Sequence, residues 1–420
     1  MASGLKRGIV GLFDQGFSGL SNVLMVLTVA NGLSPTSFGS FALAYAILTF
    51  LLTLSRSFFG TQLTLSHERS VAREQAHAAF GAIVIVSPLI ILVVLGVGLS
   101  VNGTNHVGVT AVVALAAPIV CIQDVLRYAA VAVERPAAAL ISDISWTVIM
   151  AAAVVGLVRL HGAAILALWL GAAVFALVVC VIFLGVAPGL RAGSRLLRDR
   201  HVVAQSVTIG AIAISGAGLL VSIATTRFLG PAALGSLRGA SAMMGPLNVL
   251  FAFVSLNLTP TLARRARARD LDFCVKLAAV VTVGIIAWAS VLLLLPSSIG
   301  THLLGRTWTG TRTVLPWTSL EYISLGIAAT STLWLRVRHA ARSLLIRSLT
   351  YAGAVMLFGI SAAQLGASAT AVAIAGSAAA AISAITGWSQ VLSNSYHRGQ
   401  HRAARNGRRT LISASRTTVR

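Results

Sequence analysis

The sequence predicts an all-α integral membrane protein with about twelve transmembrane helices in two six-helix bundles, and three observations carry that prediction. Of 420 residues, 57% are hydrophobic and 10% charged, with a mean hydropathy of +0.88, against roughly 25% charged residues in a soluble domain. Apolar runs of about 20 residues, the length that crosses a ~30 Å hydrocarbon core, recur from end to end. Finally, the stretch "LSPTSFGS" from Leu33 returns as "LGPAALGS" from Leu229, 196 positions later.

In chain order the runs cover residues 9–32, 38–65, 79–101, 109–131, 138–158, 163–187, 203–228, 232–258, 274–296, 314–335, 344–363 and 367–391. Lys6 and Arg7 ahead of the first run, with Thr28-Val29-Ala30 near its end, could pass for a secretory signal. The repeat argues instead for a retained helix, because the first run falls on the seventh and the second on the eighth. Leu33, Pro35, Gly39 and Ser40 coincide with Leu229, Pro231, Gly235 and Ser236 at the same hairpin of both halves. Six spans per half is an even number, so the halves share one orientation about an axis along the membrane normal, with a substrate site expected where they meet. Pro35 and Pro231 punctuate the external turns, and Gly39, Ser40, Gly235 and Gly239 keep the following helices slim. The predicted organisation is an N-terminal bundle over 1–190, a cytoplasmic linker over 191–202, a C-terminal bundle over 203–392 and a disordered basic tail over 393–420. No connecting piece is large enough for a soluble catalytic domain, so no enzyme is expected.

The net charge of +22 would suggest nucleic acid in a soluble protein, but its distribution follows a membrane topology. With the N-terminus inside, 26 of the 32 basic residues fall on cytoplasmic segments and helix ends, among them Arg69, Arg73, Arg127, Arg135, Arg336, Arg338, Arg342, Arg347 and the tail. Only Arg159, Arg306 and Arg312 fall outside. This bias predicts cytoplasmic termini and contact with anionic membrane lipids, and without interleaved aromatic residues it excludes a nucleic-acid partner. Cys121, Cys180 and Cys274 lie in or at the ends of apolar runs and read as small buried hydrophobes, and neither they nor His397 and His401 form a metal-ligand pattern. No metal or cofactor is expected. Asn102-Gly103-Thr104 reads as an incidental sequon.

The remaining arginines, Arg56, Arg227 and Arg238, lie within or at the edge of the membrane. An arginine at the centre of a spanning helix costs roughly 2.5 to 3.5 kcal/mol on the insertion scale, so it must be paired or wet. By helical rise Arg238 lies about 10 Å below the outer boundary and Arg56 about 15 Å from the cytoplasmic one. Asp14, Asp124 and Glu321 are the acidic residues at depth. One reading pairs them internally, as Asp14 with Arg56, Glu321 with Arg238, and Asp124 with Arg127 at i,i+3. The other has Arg56, Arg227 and Arg238 lining a polar cavity and offering guanidinium forks to phosphate oxygens. Gln15, Ser18, Ser21, Asn22, Gln62, Ser215, Asn248, Ser255 and Asn257 are either interhelical hydrogen-bonding groups or further cavity lining.

Residues 14–60, "DQGFSGLSNVLMVLTVANGLSPTSFGSFALAYAILTFLLTLSRSFFG", resemble the N-terminal hairpin of bacterial polysaccharide exporters of the O-antigen flippase (Wzx-like) type. The matched features are the polar residues of the first helix, Pro35 before Phe38 and Gly39, the "FALAY" opening the second helix, and Arg56 deeper in it. "LLGRTWTGTRTVLP", residues 303–316, resembles the Gly-x-x-Trp segment before the tenth helix of that family. These exporters belong to the multidrug/oligosaccharidyl-lipid/polysaccharide (MOP) flippase superfamily, and the resemblance implies a MATE/MOP-like fold in a bacterial plasma membrane. It also implies a polyprenyl-pyrophosphate-linked oligosaccharide moved to the outer leaflet by alternating access, with a polysaccharide polymerase or other assembly proteins as partners. Basic cavity residues meet the pyrophosphate in related flippases, a role carried here to Arg56, Arg227 and Arg238. Asp14, Asp124 and Glu321 become candidates for a coupling ion, with Gln15, Asn22 and Asn257 as polar lining. Ala252 stands at the repeat equivalent of Arg56, which argues against a symmetric arginine clamp.

The rival readings are a drug/ion antiporter of the same superfamily, a major facilitator transporter, and a membrane polymerase or glycosyltransferase. Organic cations want acidic or aromatic cavities, and "SHERSVAREQAH", residues 66–77, lacks the Gly/Asp/Arg-rich signature of the facilitators. The external segments contain no Asp or Glu to hold a sugar or a metal.

Overall fold

The computed structural model describes residues 19–60, 63, 68–154, 162–198, 206–251, 254, 258, 262, 270–338, 340–366 and 368–417. Every regular element among them is helical. The N-terminal half holds α1 (Gly19–Gly32), α2 (Pro35–Ser55), α3 (Arg69–Asn102), α4 (Val107–Ala132), α5 (Pro136–Val154) and α6 (Ala163–Leu184). A short helix, α7 (Leu190–Arg198), leads to α8 (Ser206–Leu229), α9 (Pro231–Met243), α10 (Asp270–Leu293), α11 (Ser297–Leu304), α12 (Trp308–Val337), α13 (Ala341–Gln364) and α14 (Ala369–Thr417). Nine helices among the described residues are long and apolar enough to cross a membrane, and α1, α9 and α12 stand at the remaining three predicted spans. Large apolar side chains such as Leu89, Leu92, Ile182, Val280 and Ile385 are more than 60% exposed, as a lipid-facing surface requires and a water-facing one does not tolerate in bulk.

A proline opens the second helix of the repeated hairpin in each half. Ser34 caps α2, its hydroxyl accepting from the Ser37 amide at 3.2 Å, and Pro35 occupies the first turn, where its missing N–H leaves nothing unsatisfied. In the second half Gly230 takes φ +87° so that the chain can turn between α8 and α9, and Pro231 again opens the helix. The halves then meet through these two hairpins, α2 packing on α8 and α9. A Cβ on Gly39 would run into the Pro231 carbonyl, and a Cβ on Gly235 would lie 3.1 Å from the Pro35 carbonyl. Each glycine therefore faces the proline of the other half, the reciprocal contact that a two-fold relation produces. One apolar core runs through both halves.

Four boundaries depart from the sequence prediction. The eighth run, predicted as one helix over 232–258, breaks at Met244 and Gly245, where the Gly245 amide bonds back to the Ala242 carbonyl at 2.9 Å before helix resumes at 246. Pro246 is the cause, since a proline disfavours helix in the residue before it. Within the second run, Arg56–Gly60 winds as a wider turn of helix. The predicted linker and the 297–313 connection hold helices α7 and α11. Where a disordered tail is predicted after 392, α14 continues as helix to Thr417.

Candidate substrate site between the two halves

Helix α2 borders two cavities of different chemistry along adjoining faces. Tyr45, Leu52 and Arg56, spaced to share one face, line a small cavity of about 50 Å³ in the N-terminal half together with Asn22, Gln123, Asp124, Arg127 and Asp143. Ala42, Ala46 and Thr49, on the adjoining face, line a cavity of about 380 Å³. That second cavity is closed by α8, α9, α12, α13 and α14, with Ser215, Arg238, Glu321 and Tyr351 among its walls.

The N-terminal cavity holds a network of compensated charges. Arg56 donates from Nε to Asp124 Oδ2 at 2.7 Å and from NH2 to Oδ1 at 2.9 Å, a two-pronged ion pair with a buried carboxylate. Arg127 lies with Nε 3.2 Å from Asp143 Oδ2, and only 3.8 Å separates its NH1 from Asp124 Oδ1. The i,i+3 pair that the sequence predicts is thus present at 3.8 Å, and each of its members also holds a closer partner. Gln123 donates to Ser142 Oγ at 3.1 Å and reaches Asp143 Oδ1 at 3.4 Å, and Ser142 donates to the Ala176 carbonyl at 2.7 Å. Two arginines and two aspartates therefore offset one another. An incoming anion would have to displace Asp124 to reach the fork of Arg56.

Arg238 has the opposite surroundings. Its guanidinium carbon lies 4.7 Å from the centroid of the Tyr45 ring, a cation–π contact that reaches from the C-terminal half to α2. Tyr45 is itself held by donating from its hydroxyl to Asn22 Oδ1 at 3.0 Å. The Nε of Arg238 is buried without a hydrogen-bond partner, and among the described residues no carboxylate lies within ion-pair distance of the group. The predicted partner, Glu321, lines the same cavity but forms no ion pair with it; a Cβ built on Gly376 of α14 would lie 3.2 Å from a Glu321 carboxylate oxygen. Ser215 accepts from Thr53 across the two halves at 3.1 Å.

The remaining predicted residues fare differently. Arg227 sits exposed in the last turn of α8, where a cation suits the helix terminus, and it does not line the cavity predicted for it. Asp14, Gln15 and Asn257 lie outside the described residues, so the pairing of Asp14 with Arg56 does too. The sequence reasoning passed over Asp143 and Tyr45. Asp143 stood in the fifth apolar run as an acid at depth, a signal as plain as Asp124. Tyr45 sits inside the "FALAY" segment, and nothing in a sequence indicates that its ring would meet an arginine 193 positions later (238 − 45).

No protein-family model matches the sequence, and no curated protein matches it. Its fold does match solved structures. Lipid II flippase MurJ in an inward closed conformation superposes with a TM-score of 0.65 at 10% identity, over 92% of this chain and 87% of that one. An inward-facing multidrug resistance MATE family transporter of the MOP superfamily gives 0.63 at 12% identity, over 90% and 95%. A MOP superfamily transporter from Pyrococcus furiosus Vc1, for which a reversed polarity of the binding pocket suggests a different function, gives 0.58 at 13%, over 93% and 95%. The chain has the MATE/MurJ-like helical fold. At these identities the likeness is one of fold.

Proposed function

We propose that this chain is a flippase that carries a polyprenyl-pyrophosphate-linked oligosaccharide from the inner to the outer leaflet of a bacterial plasma membrane, with both termini in the cytoplasm. One observation carries the reading: Arg238, a cation with a buried and unpartnered Nε, stands in a cavity of about 380 Å³ bounded by both halves. A pyrophosphate group supplies what that site lacks, two or more anionic oxygens in a geometry the guanidinium fork matches. Cation–π contact with Tyr45 holds the fork in place before the anion arrives. The sugar would occupy the polar wall of Ser215, Ser222, Thr225 and Thr318, while the prenyl chain stays in lipid. Rocking of the halves about their glycine–proline contact would exchange access between the two sides. Arg56 takes a secondary place, reaching the anion only when Asp124 turns to Arg127, and Arg227 has none at this cavity.

A second reading, an ion-coupled antiporter of small molecules, draws on Glu321, a carboxylate in the same cavity without an ion-pair partner among the described residues. In a flippase the same group would serve the coupling ion. Native mass spectrometry of the purified chain in mild detergent separates the two. Wild type should retain a polyprenyl-pyrophosphate glycan that Arg238→Ala loses while keeping its fold. Equal retention by both, or none when the glycan is supplied in excess, removes Arg238 and this cargo from the account.

A further inference from the structure

The end of the C-terminal half that carries the basic residues holds a second group of uncompensated arginines, away from the cavity of Arg238. Arg336 lies in the last turn of α12 and Arg347 in the second turn of α13. Arg347 is half-buried. Its NH1 donates to Ser383 Oγ on α14 at 2.9 Å, its stem passes Gly387, against which Ser331 of α12 also packs, and its Nε is buried without a partner. Arg336 lies within electrostatic range of it. Among the described residues no carboxylate is within ion-pair distance of either. Glu321, the acidic residue of α12, stands 15 positions from Arg336 (336 − 321), about 22 Å along the helix axis.

Arg336 is exposed and Arg347 half-buried, two like charges within electrostatic range that repel, and the buried Nε of Arg347 without an acceptor costs free energy; one multiply charged oxyanion relieves both. Guanidinium groups on different helices, with a serine hydroxyl beside them, suit tetrahedral phosphate oxygens better than a planar carboxylate or a halide. Arg347 also stands one helical turn from Tyr351, a wall residue of the large cavity, so an anion bound here is on the path between that cavity and the basic end of the molecule. We propose that Arg336 and Arg347, with Ser383, form a phosphate-binding site distinct from Arg238. Its ligand is a phosphate-bearing group, either the headgroup of an anionic membrane lipid or a pyrophosphate. The site stands whether or not the cargo is lipid-linked sugar.

The test is calorimetric titration of the purified full-length chain, in a neutral phosphate-free detergent, with sodium pyrophosphate and separately with micellar phosphatidylglycerol. Wild type should bind at least one probe; with Arg238→Ala as the background, so that the cavity arginine cannot contribute, the remaining binding should weaken roughly tenfold or more when Arg336→Gln/Arg347→Gln is added. Arg347→Lys, which keeps the charge and loses the fork, provides the same comparison if the double variant does not fold, with binding weakened by a similar factor. Preference for phosphatidylglycerol identifies a lipid headgroup, and binding of pyrophosphate alone identifies a free or carried phosphate group. Binding by Arg238→Ala that neither set of added substitutions weakens, loss of all binding in Arg238→Ala, or no binding of either probe by wild type would overturn the site.

Discussion

Arg56 and Arg238 meet the cost of a charge at membrane depth in opposite ways. Arg56 is compensated by Asp124 through two hydrogen bonds, and Arg238 rests on an aromatic ring with its Nε unpartnered. Removing one partner of a buried ion pair leaves a stranded charge, a loss of about 3 to 5 kcal/mol where both groups are buried. Here the Arg56 side chain is 47% exposed; the loss for Asp124→Ala should therefore fall to roughly 1 to 3 kcal/mol. Removing both groups should recover much of it, and a double-mutant cycle read by thermal unfolding in detergent measures the coupling. Arg238→Ala should by contrast leave stability within about 1 kcal/mol, because no ion pair is broken. A large drop in unfolding temperature for Arg238→Ala would mean that the group is structural. Both arginines were legible in the sequence as charges inside apolar runs. Their partners were not, because Asp124 is 68 positions from Arg56 (124 − 56) and only the packing of α2 on α4 brings them together.

At the scale of elements, the repeated hairpin shows how far a pattern reaches. Its prolines and glycines were visible, and their use in turns and close packing followed from their chemistry. That Gly39 meets Pro231 and Gly235 meets Pro35 required the two hairpins to be set face to face. Gly39→Val should push α2 from the opening of α9 and prevent the halves from closing at that end. Spin labels at the Pro35 end of α2 and the Pro231 end of α9 would then report a longer mean distance than in wild type; an unchanged distribution would show that the contact is dispensable. The break in the eighth span was also legible in Gly245-Pro246, but high hydropathy across 232–258 outweighed that local signal. The continuation of α14 to Thr417 was hidden because its polar composition carries no apolar run.

For the whole molecule, composition and charge asymmetry were enough for the class of fold, since apolar runs of membrane length leave a chain few alternatives. The joint between the halves supplies the rest: helix α2 borders a neutral ion network and, beside it, an arginine without an ion-pair partner among the described residues. We propose that this arginine carries a pyrophosphate-bearing lipid across the bilayer. The most direct measurement uses proteoliposomes carrying a fluorescent polyprenyl-pyrophosphate glycan in the inner leaflet, with a membrane-impermeant quencher outside. Wild type should make the label accessible to the quencher, while Arg238→Ala, reconstituted at equal density, should match protein-free vesicles. Transport by Arg238→Ala at the wild-type rate would remove Arg238 from the transport step, and wild-type vesicles no faster than protein-free ones would remove this cargo.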